Sequence, residues 1–262
     1  MLCLFINLDR SQDRLKKITN RLNELQLNFK RVPGIDGKLL STDYCDSIQY
    51  KKNDPEIRSR YTRQLTPAEI GTFLSHRKCW QALLESNEKF VAILEDDLII
   101  SDRAKYYLNT DEWLPSNVDI CRLICFDLEK EHIVAKEKIQ LNDNSELICQ
   151  LSPKPIGCQG YILSRKAAQF AIENSLKLPA PVDDFLFTRM FKPAIKFICW
   201  QLNPCIVKTD PEQNSEIGSR NKKDIAYLKA PFWIRHGLKR YLLKKEISNI
   251  TKQGIKTKLR FE

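Results

Sequence analysis

Phe90-Val91-Ala92-Ile93-Leu94-Glu95-Asp96-Asp97-Leu98-Ile99-Ile100 runs five apolar residues into three consecutive carboxylates and then turns apolar again. An unbroken apolar run of this length suits a strand buried on both faces, as in the centre of a parallel sheet. Ionised carboxylates are costly to bury without a partner, so Glu95, Asp96 and Asp97 face solvent or bind a cation. At the end of a central parallel strand they sit where open α/β sheets bind ligands. Magnesium and manganese favour one or two carboxylates, with phosphate oxygens of a ligand completing the shell. Two readings stand at this point: a seat for a metal–diphosphate complex, or a strand that ends in a solvated acidic turn.

Upstream, residues 1–8 (MLCLFINL) have the composition of another buried strand, ending in Asn7-Leu8-Asp9-Arg10. Ser11 stands where a helix cap belongs, and Leu15, Ile18, Leu22 and Leu25 recur at helical spacing behind it. Residues 29–33 are short and extended, and Gly34-Ile35-Asp36-Gly37 is a turn, which makes a β–α–β opening. Arg10, Arg14 and Arg31 are candidates to approach a phosphate. Residues 41–63 are polar and irregular, with four basic side chains between positions 51 and 60, and suit either an insertion or a lid. Thr66-Pro67-Ala68-Glu69 then forms a capping box with proline at the first helical position. Ile70, Phe73, Leu74, Trp80, Leu83 and Leu84 give that helix a broad apolar face. His76 lies within it, and a lone histidine there is first a structural hydrogen-bonder.

Downstream, residues 118–126 (VDICRLICF) and 156–163 (IGCQGYIL) predict strands, with Gly160 marking a close backbone approach. Residues 139–151 suit antiparallel or irregular strands. Ser164 caps a helix carrying Ala167, Ala168, Phe170, Ala171 and Ile172, and Asp183-Asp184 precedes a helix beginning near Phe185. Residues 195–207 are mostly extended. Strands alternating with helices predict an α/β fold with a mainly parallel central sheet.

The 262 residues suffice for a sizeable core. The formal charge of +10 is concentrated. Residues 219–262 hold thirteen Lys/Arg against three Asp/Glu, whereas residues 1–218 hold thirty of each. The expected organisation is therefore one neutral domain over 1–218 and a basic, helical, amphipathic tail over 219–262. Within the tail, residues 231–245 (PFWIRHGLKRYLLKK) interleave aromatic and basic side chains. Such a segment suits an anionic membrane surface, each Lys or Arg contributing roughly 1 kcal/mol, or else packs as a solvated basic helix. The longest apolar runs fall far short of the roughly 18 residues of a spanning helix. Nine cysteines, an odd number without a CxxC pair, predict a reduced, cytoplasmic chain in which Cys121, Cys125 and Cys199 act as small buried hydrophobes. Residues 1–6 lack the basic start of a secretory signal and are expected to open directly as a strand.

Several of these stretches, in order, resemble one family. Phe5-Ile6-Asn7-Leu8-Asp9-Arg10 with Asp13-Arg14, Leu65-Thr66-Pro67-Ala68-Glu69-Ile70-Gly71 with Leu74-Ser75-His76, Ile93-Leu94-Glu95-Asp96-Asp97, Gly157-Cys158-Gln159-Gly160-Tyr161-Ile162-Leu163-Ser164 and Pro181-Val182-Asp183 are similar to motifs of glycosyltransferase family 25, the lipooligosaccharide-biosynthesis glycosyltransferases. The resemblance implies a GT-A type fold, a UDP-sugar donor (UDP-galactose favoured over UDP-glucose) and a lipooligosaccharide or lipopolysaccharide acceptor. It also implies Mn2+ or Mg2+, with Asp97 as direct ligand and Glu95 in the first acidic place. Asn7, Leu8, Asp9, Arg10, Arg14, His76, Glu95, Asp96 and Gly160 are the donor-binding candidates it carries. Asp183, with Asp184 beside it, is the candidate base. The match thins beyond residue 195, where no third metal ligand is identified. Peripheral attachment to the inner face of the inner membrane through the tail would suit such an acceptor.

The chemistry agrees with that assignment. Glycosyl transfer develops positive charge on the sugar while a diphosphate leaves with negative charge. A divalent cation stabilises that leaving group, and inversion to a β-linkage needs a carboxylate to take the acceptor proton. Two other readings compete: a metal-dependent nuclease or phosphotransferase using the same acids with Asp183-Asp184, and a nucleic-acid binder working through the tail. The neutral body argues against nucleic acid as a partner. Phosphate-loop, zinc-ribbon and GxSxG signatures are absent from the sequence.

Overall fold

The computed structural model describes residues 1–50, 64–125, 128–151, 157–187, 197–213 and 254–262. The chain opens β1 (Leu2–Asn7), α1 (Gln12–Glu24), β2 (Phe29–Pro33), followed by α2 (Thr42–Ile48) and α3 (Pro67–Glu85). Next come β3 (Phe90–Glu95), β4 (Leu98–Ile100), α4 (Ala104–Asn109), β5 (Ile120–Arg122), β6 (Glu131–Gln140), β7 (Glu146–Gln150) and β8 (Gly160–Ser164). Then follow α5 (Arg165–Glu173), α6 (Val182–Phe187), β9 (Cys199–Asn203), β10 (Val207–Thr209) and β11 (Gly254–Lys258).

Among the described residues, nine strands form one sheet in the order β11-β6-β7-β9-β5-β8-β3-β1-β2, and β10 pairs with β4 in a second, two-stranded sheet. The α/β reading holds. Six of the nine strands run in one direction: β1, β2, β3, β5, β6 and β9. The departure lies at β8, which inserts between β3 and β5 and is antiparallel to both. Residues 139–151 belong to the antiparallel β6–β7 pair, which begins earlier than expected, at Glu131.

The apolar run of β3 is explained by its two faces. Ala92 and Leu94 join Cys3, Phe5, Ile18, Leu22 and Tyr107 in one core. Val91 and Ile93 join Leu4, Phe73, Trp80, Leu83, Ala167 and Phe185 in the other. Each large apolar side chain so buried contributes about 1.5–3 kcal/mol, so α1 and α3 are held to opposite faces mainly by this packing. Helix α3 starts as the sequence predicts, with Thr66 Oγ1 accepting from the Glu69 amide and the Glu69 side chain accepting from the Thr66 amide. Gly71 of α3 lets the helix lie against the turn that precedes it, since a Cβ there would stand 2.4 Å from the Ile35 carbonyl oxygen.

Four local expectations change. Residues 42–48, expected to be irregular, form α2. Ser11 occupies the cap position of α1 but makes no side-chain capping bond; its carbonyl instead accepts from Asn7 Nδ2 at 3.1 Å. Helix α6 starts at Val182, not near Phe185, so Asp183 and Asp184 lie in its first turn and not before it. Within the tail, residues 254–258 are not helical: they form β11, antiparallel to β6 at the sheet edge. The aromatic-basic stretch 231–245 and the basic positions between 51 and 60 lie outside the described residues. Among the described residues no helix is long and apolar enough to cross a membrane.

Candidate functional site

Parallel pairing of β1 with β3 sets Ile6 beside Glu95, so the residues that follow, Asn7 and Asp96, meet at the carboxyl ends of the two strands. Asn7 Nδ2 donates to Asp96 Oδ2 at 2.7 Å. Arg14, in the first turn of α1, donates through Nη1 to Asp96 Oδ1 at 3.2 Å. Arg31 from β2 donates to Asn7 Oδ1 at 3.0 Å, which fixes the amide with its nitrogen toward Asp96. Burial pushes the Asp96 carboxyl above its usual range, and Asn7 and Arg14 oppose that push. The sequence order strand–turn–helix thus gathers Asn7, Arg14 and Asp96 into one arrangement.

Asp97 has no such support. Its Oδ1 is buried and meets no hydrogen-bond donor among the described residues. Burial first, and then the charges of Glu95 and Asp96, raise its pKa to about 7. An orphaned, electrostatically crowded carboxylate oxygen is the donor that a hard divalent cation satisfies, so these residues fit the Mn2+ or Mg2+ expected for the acidic run. On the opposite side the Asp97 carbonyl accepts from the Asp210 amide at 2.9 Å, an outcome of the antiparallel β4–β10 register. Asp210 is itself buried and pairs with Lys17 of α1 at 2.5 Å, which holds its carboxyl below the usual range.

Glu95 is held from another direction. His76 Nε2 lies 3.3 Å from Glu95 Oε1, and His76 Nδ1 lies 3.0 Å from the Tyr161 hydroxyl, which accepts from Trp80 Nε1 at 2.8 Å. His76 is fully buried, as its structural reading requires, and its partner is an acid of the site. The Cys158 thiol also reaches Glu95 Oε1, at 3.4 Å.

The remaining candidates scatter. Asp183 Oδ2 accepts from the Gly157 amide at 3.4 Å, beside the Cys158 that touches Glu95, so the base candidate borders the site through this turn. Asp184 is 3% exposed and sits on the packed side of α6. Gly160 is buried, and a Cβ there would stand 2.5 Å from Val207 Cγ2, so the close neighbour at this glycine is a side chain of β10 and not the backbone that the sequence predicts. The Asp9 side chain pairs with Arg31 at 2.5 Å and Arg10 with Asp36 at 2.5 Å, both toward solvent, while the Leu8 carbonyl closes the turn onto the Ser11 amide. Of the three arginines named from the sequence, Arg14 reaches the acidic run directly and Arg31 reaches it through Asn7.

Sequence reasoning missed Lys17, Arg122, Tyr161 and Asp210. Arg122 had a visible signal: a lone cation in an otherwise apolar strand. It is 3% exposed, donates to the Gly157 carbonyl at 3.3 Å and lies over the Phe187 ring at 4.9 Å, bracing the Gly157 turn. Asp210 had none, because its meeting with Asp97 follows from pairing between distant strands.

The chain has relatives among known proteins. Residues 1–186 match glycosyltransferase family 25, described as LPS biosynthesis protein, and the chain belongs to that family. Among its relatives is the lipooligosaccharide biosynthesis protein lex-1 of Haemophilus influenzae, 28% identical over 165 residues that cover 60% of this chain and 54% of that protein. The lacto-N-neotetraose biosynthesis glycosyltransferase LgtE of Neisseria meningitidis is 30% identical over 173 residues, 61% of each chain. Procollagen galactosyltransferase 1-B of Xenopus laevis is 29% identical over 187 residues, covering 69% of this chain and 30% of that one. The chain thus spans between 30% and 61% of these relatives' lengths. Among solved structures, a glycosyltransferase involved in glycosylation of the major capsid of PBCV-1 aligns with 81% of this chain and 93% of its own, at a TM-score of 0.44 and 8% identity.

Proposed function

We propose that this protein is a metal-dependent glycosyltransferase of the GT-A type that moves a hexose from a UDP-sugar to a lipooligosaccharide or lipopolysaccharide acceptor. Galactose, from UDP-galactose, is favoured over glucose as the transferred sugar. The observation that carries the proposal is the buried Asp97 Oδ1 without a donor, at a strand end where Asp96 is already satisfied by Asn7 and Arg14. Family membership and the relatives' printed activities support the sugar-transfer reading.

In this reading Asp97, with Glu95 beside it, holds Mn2+ or Mg2+. The bound cation would supply Lewis-acid stabilisation of the leaving diphosphate. Asp96, fixed by Asn7 and Arg14, faces the nucleotide side of the site, and Arg14 adds positive charge near the phosphates. His76 holds Glu95 in place. Asp183, more open to solvent than Asp184, takes the proton from the acceptor hydroxyl, and inversion gives a β-linkage. The segment 219–253 would keep the enzyme at the inner face of the inner membrane, beside a lipid-anchored glycan, with no role for nucleic acid. The test is UDP release from a panel of UDP-sugars with and without Mn2+. Release from one sugar, dependent on the cation, is expected; equal release without the cation contradicts the metal assignment.

A further inference from the structure

Beside Asp97, three side chains of different chemistry close on one point. His76 Nε2 is 3.3 Å from Glu95 Oε1, and Cys158 Sγ is 3.6 Å from His76 Nε2 and 3.4 Å from Glu95 Oε1. The His76–Glu95 contact is long for a hydrogen bond between nitrogen and oxygen, whereas the two sulfur contacts have the ordinary length of thiol contacts. Taken together, the three separations also match the edges of a metal coordination shell. A tetrahedral zinc ion with bonds of about 2.0 Å to nitrogen and oxygen and about 2.3 Å to sulfur has ligand–ligand edges of about 3.3 Å (N–O) and about 3.5–3.6 Å (to sulfur). The three atoms therefore already stand near the corners of one face of such a tetrahedron.

We infer that His76, Glu95 and Cys158 form a site for a thiophilic divalent cation of the zinc class, adjacent to the hard-cation position at Asp97 and sharing Glu95 with it. Imidazole and thiolate favour zinc and cobalt, whereas magnesium and manganese take oxygen ligands, so the donor sets of the two positions sort different ions. Each ligand comes from a fixed element. His76 lies inside α3, Glu95 closes β3, and Cys158 follows Gly157, whose φ of 88° turns the chain just before β8. The Glu95 amide donates to the Gln159 carbonyl at 2.8 Å, which sets the spacing of the last two.

Outer support is also in place. A ligating histidine usually holds its second ring nitrogen in a hydrogen bond, and His76 Nδ1 meets the Tyr161 hydroxyl at 3.0 Å. That hydroxyl accepts from Trp80 and has capacity left to accept from Nδ1–H, which leaves the Nε2 lone pair for the ion. The Glu95 side chain is 22% exposed, which gives an entry path, while His76 is sealed behind it. Three protein ligands leave a fourth position for water or a ligand group. Because Glu95 also belongs to the acidic run, an ion here lowers the negative charge that faces Asp97 and so couples the two positions.

The experiment titrates Co2+ into the reduced, full-length protein and follows visible and near-ultraviolet absorption. The expected result is about one equivalent of cobalt with tetrahedral ligand-field bands and a sulfur-to-cobalt charge-transfer band, displaced by Zn2+ and not by Mn2+. Cobalt at the oxygen ligands of Asp97 gives no such band. Cys158→Ser should abolish it, whereas Cys125→Ser, at the sulfur 3.6 Å from His132 Nε2, should leave it intact. Glu95→Gln should keep the band with affinity at least tenfold weaker, and this variant carries the test if Cys158→Ser does not fold. A wild-type protein without the band, a band that survives in folded Cys158→Ser, or unchanged affinity in Glu95→Gln overturns the assignment.

Discussion

Asn7 and Asp96, 89 positions apart in the chain, meet in a 2.7 Å hydrogen bond where two parallel strands end side by side. The bond lets one carboxylate of a three-acid run be buried, and it leaves the next one, Asp97, as the group still in need of a partner. Asn7→Ala removes the donor and leaves Asp96 with Arg14. Loss of a buried hydrogen bond to a charged acceptor predicts destabilisation of about 1.5–3 kcal/mol. Chemical denaturation at neutral pH checks this, and the KM for donor should rise more than kcat falls.

Asp97 makes stability depend on pH in an unusual direction for an acid. Its folded pKa is raised to about 7 from an ordinary value of 3.8, so the native state holds the proton more tightly than the unfolded chain does. The native state therefore binds more protons between roughly pH 4 and 7, and stability falls as pH rises through that window. Above it the penalty is complete. Asp97→Asn should be more stable than the wild type at pH 8 without divalent cations, by about 2–4 kcal/mol, and nearly equal to it at pH 4. Adding Mn2+ at pH 8 should raise the melting temperature of the wild type and not that of the variant.

Gly160 and Val207 are coupled through space. A Cβ at position 160 would come within 2.5 Å of Val207 Cγ2, so Gly160→Ala overpacks the contact between β8 and β10 and should cost about 1–3 kcal/mol. Val207→Ala alone leaves a small cavity. Combining the two should recover part of the loss, and a double-mutant cycle of denaturation midpoints measures the interaction energy.

Asp183 and Asp184 are neighbours with different surroundings. Asp183 borders the Gly157 turn near Glu95, whereas Asp184 is packed against the core side of α6. Asp183→Asn should lower kcat by about 100-fold or more with little change in stability, the scale of a lost general base. Asp184→Asn should mainly lower stability. Paired kinetics and thermal melts on both variants separate the two outcomes.

Much of this arrangement is written locally. The capping box fixes the start of α3, the apolar run of β3 announces burial on both faces, and the turn after β1 brings Asn7 and Arg14 to the acids because a β–α–β unit has few ways to close. What stayed hidden depends on distant pairing. Nothing in residues 160–164 states that β8 will insert antiparallel between β3 and β5, and nothing near Asp210 announces Asp97. His76 shows the same limit from the other side: its burial was legible in the apolar face of α3, but its partners Glu95 and Tyr161 were not. In residues 254–258 the count of basic residues suggested a solvated helix, whereas alternation of Ile255 and Thr257 with lysines suits the edge strand that forms.

Calorimetric titration of UDP into the protein, with and without Mn2+, in the wild type and in Asp97→Ala, bears most directly on the role assigned to the acidic run. Binding of UDP should require Mn2+ in the wild type and weaken at least tenfold in Asp97→Ala, while the far-ultraviolet circular dichroism of the two proteins stays the same. UDP binding of equal strength with and without the cation, or unchanged in Asp97→Ala, would show that Asp97 holds no metal for a nucleotide diphosphate.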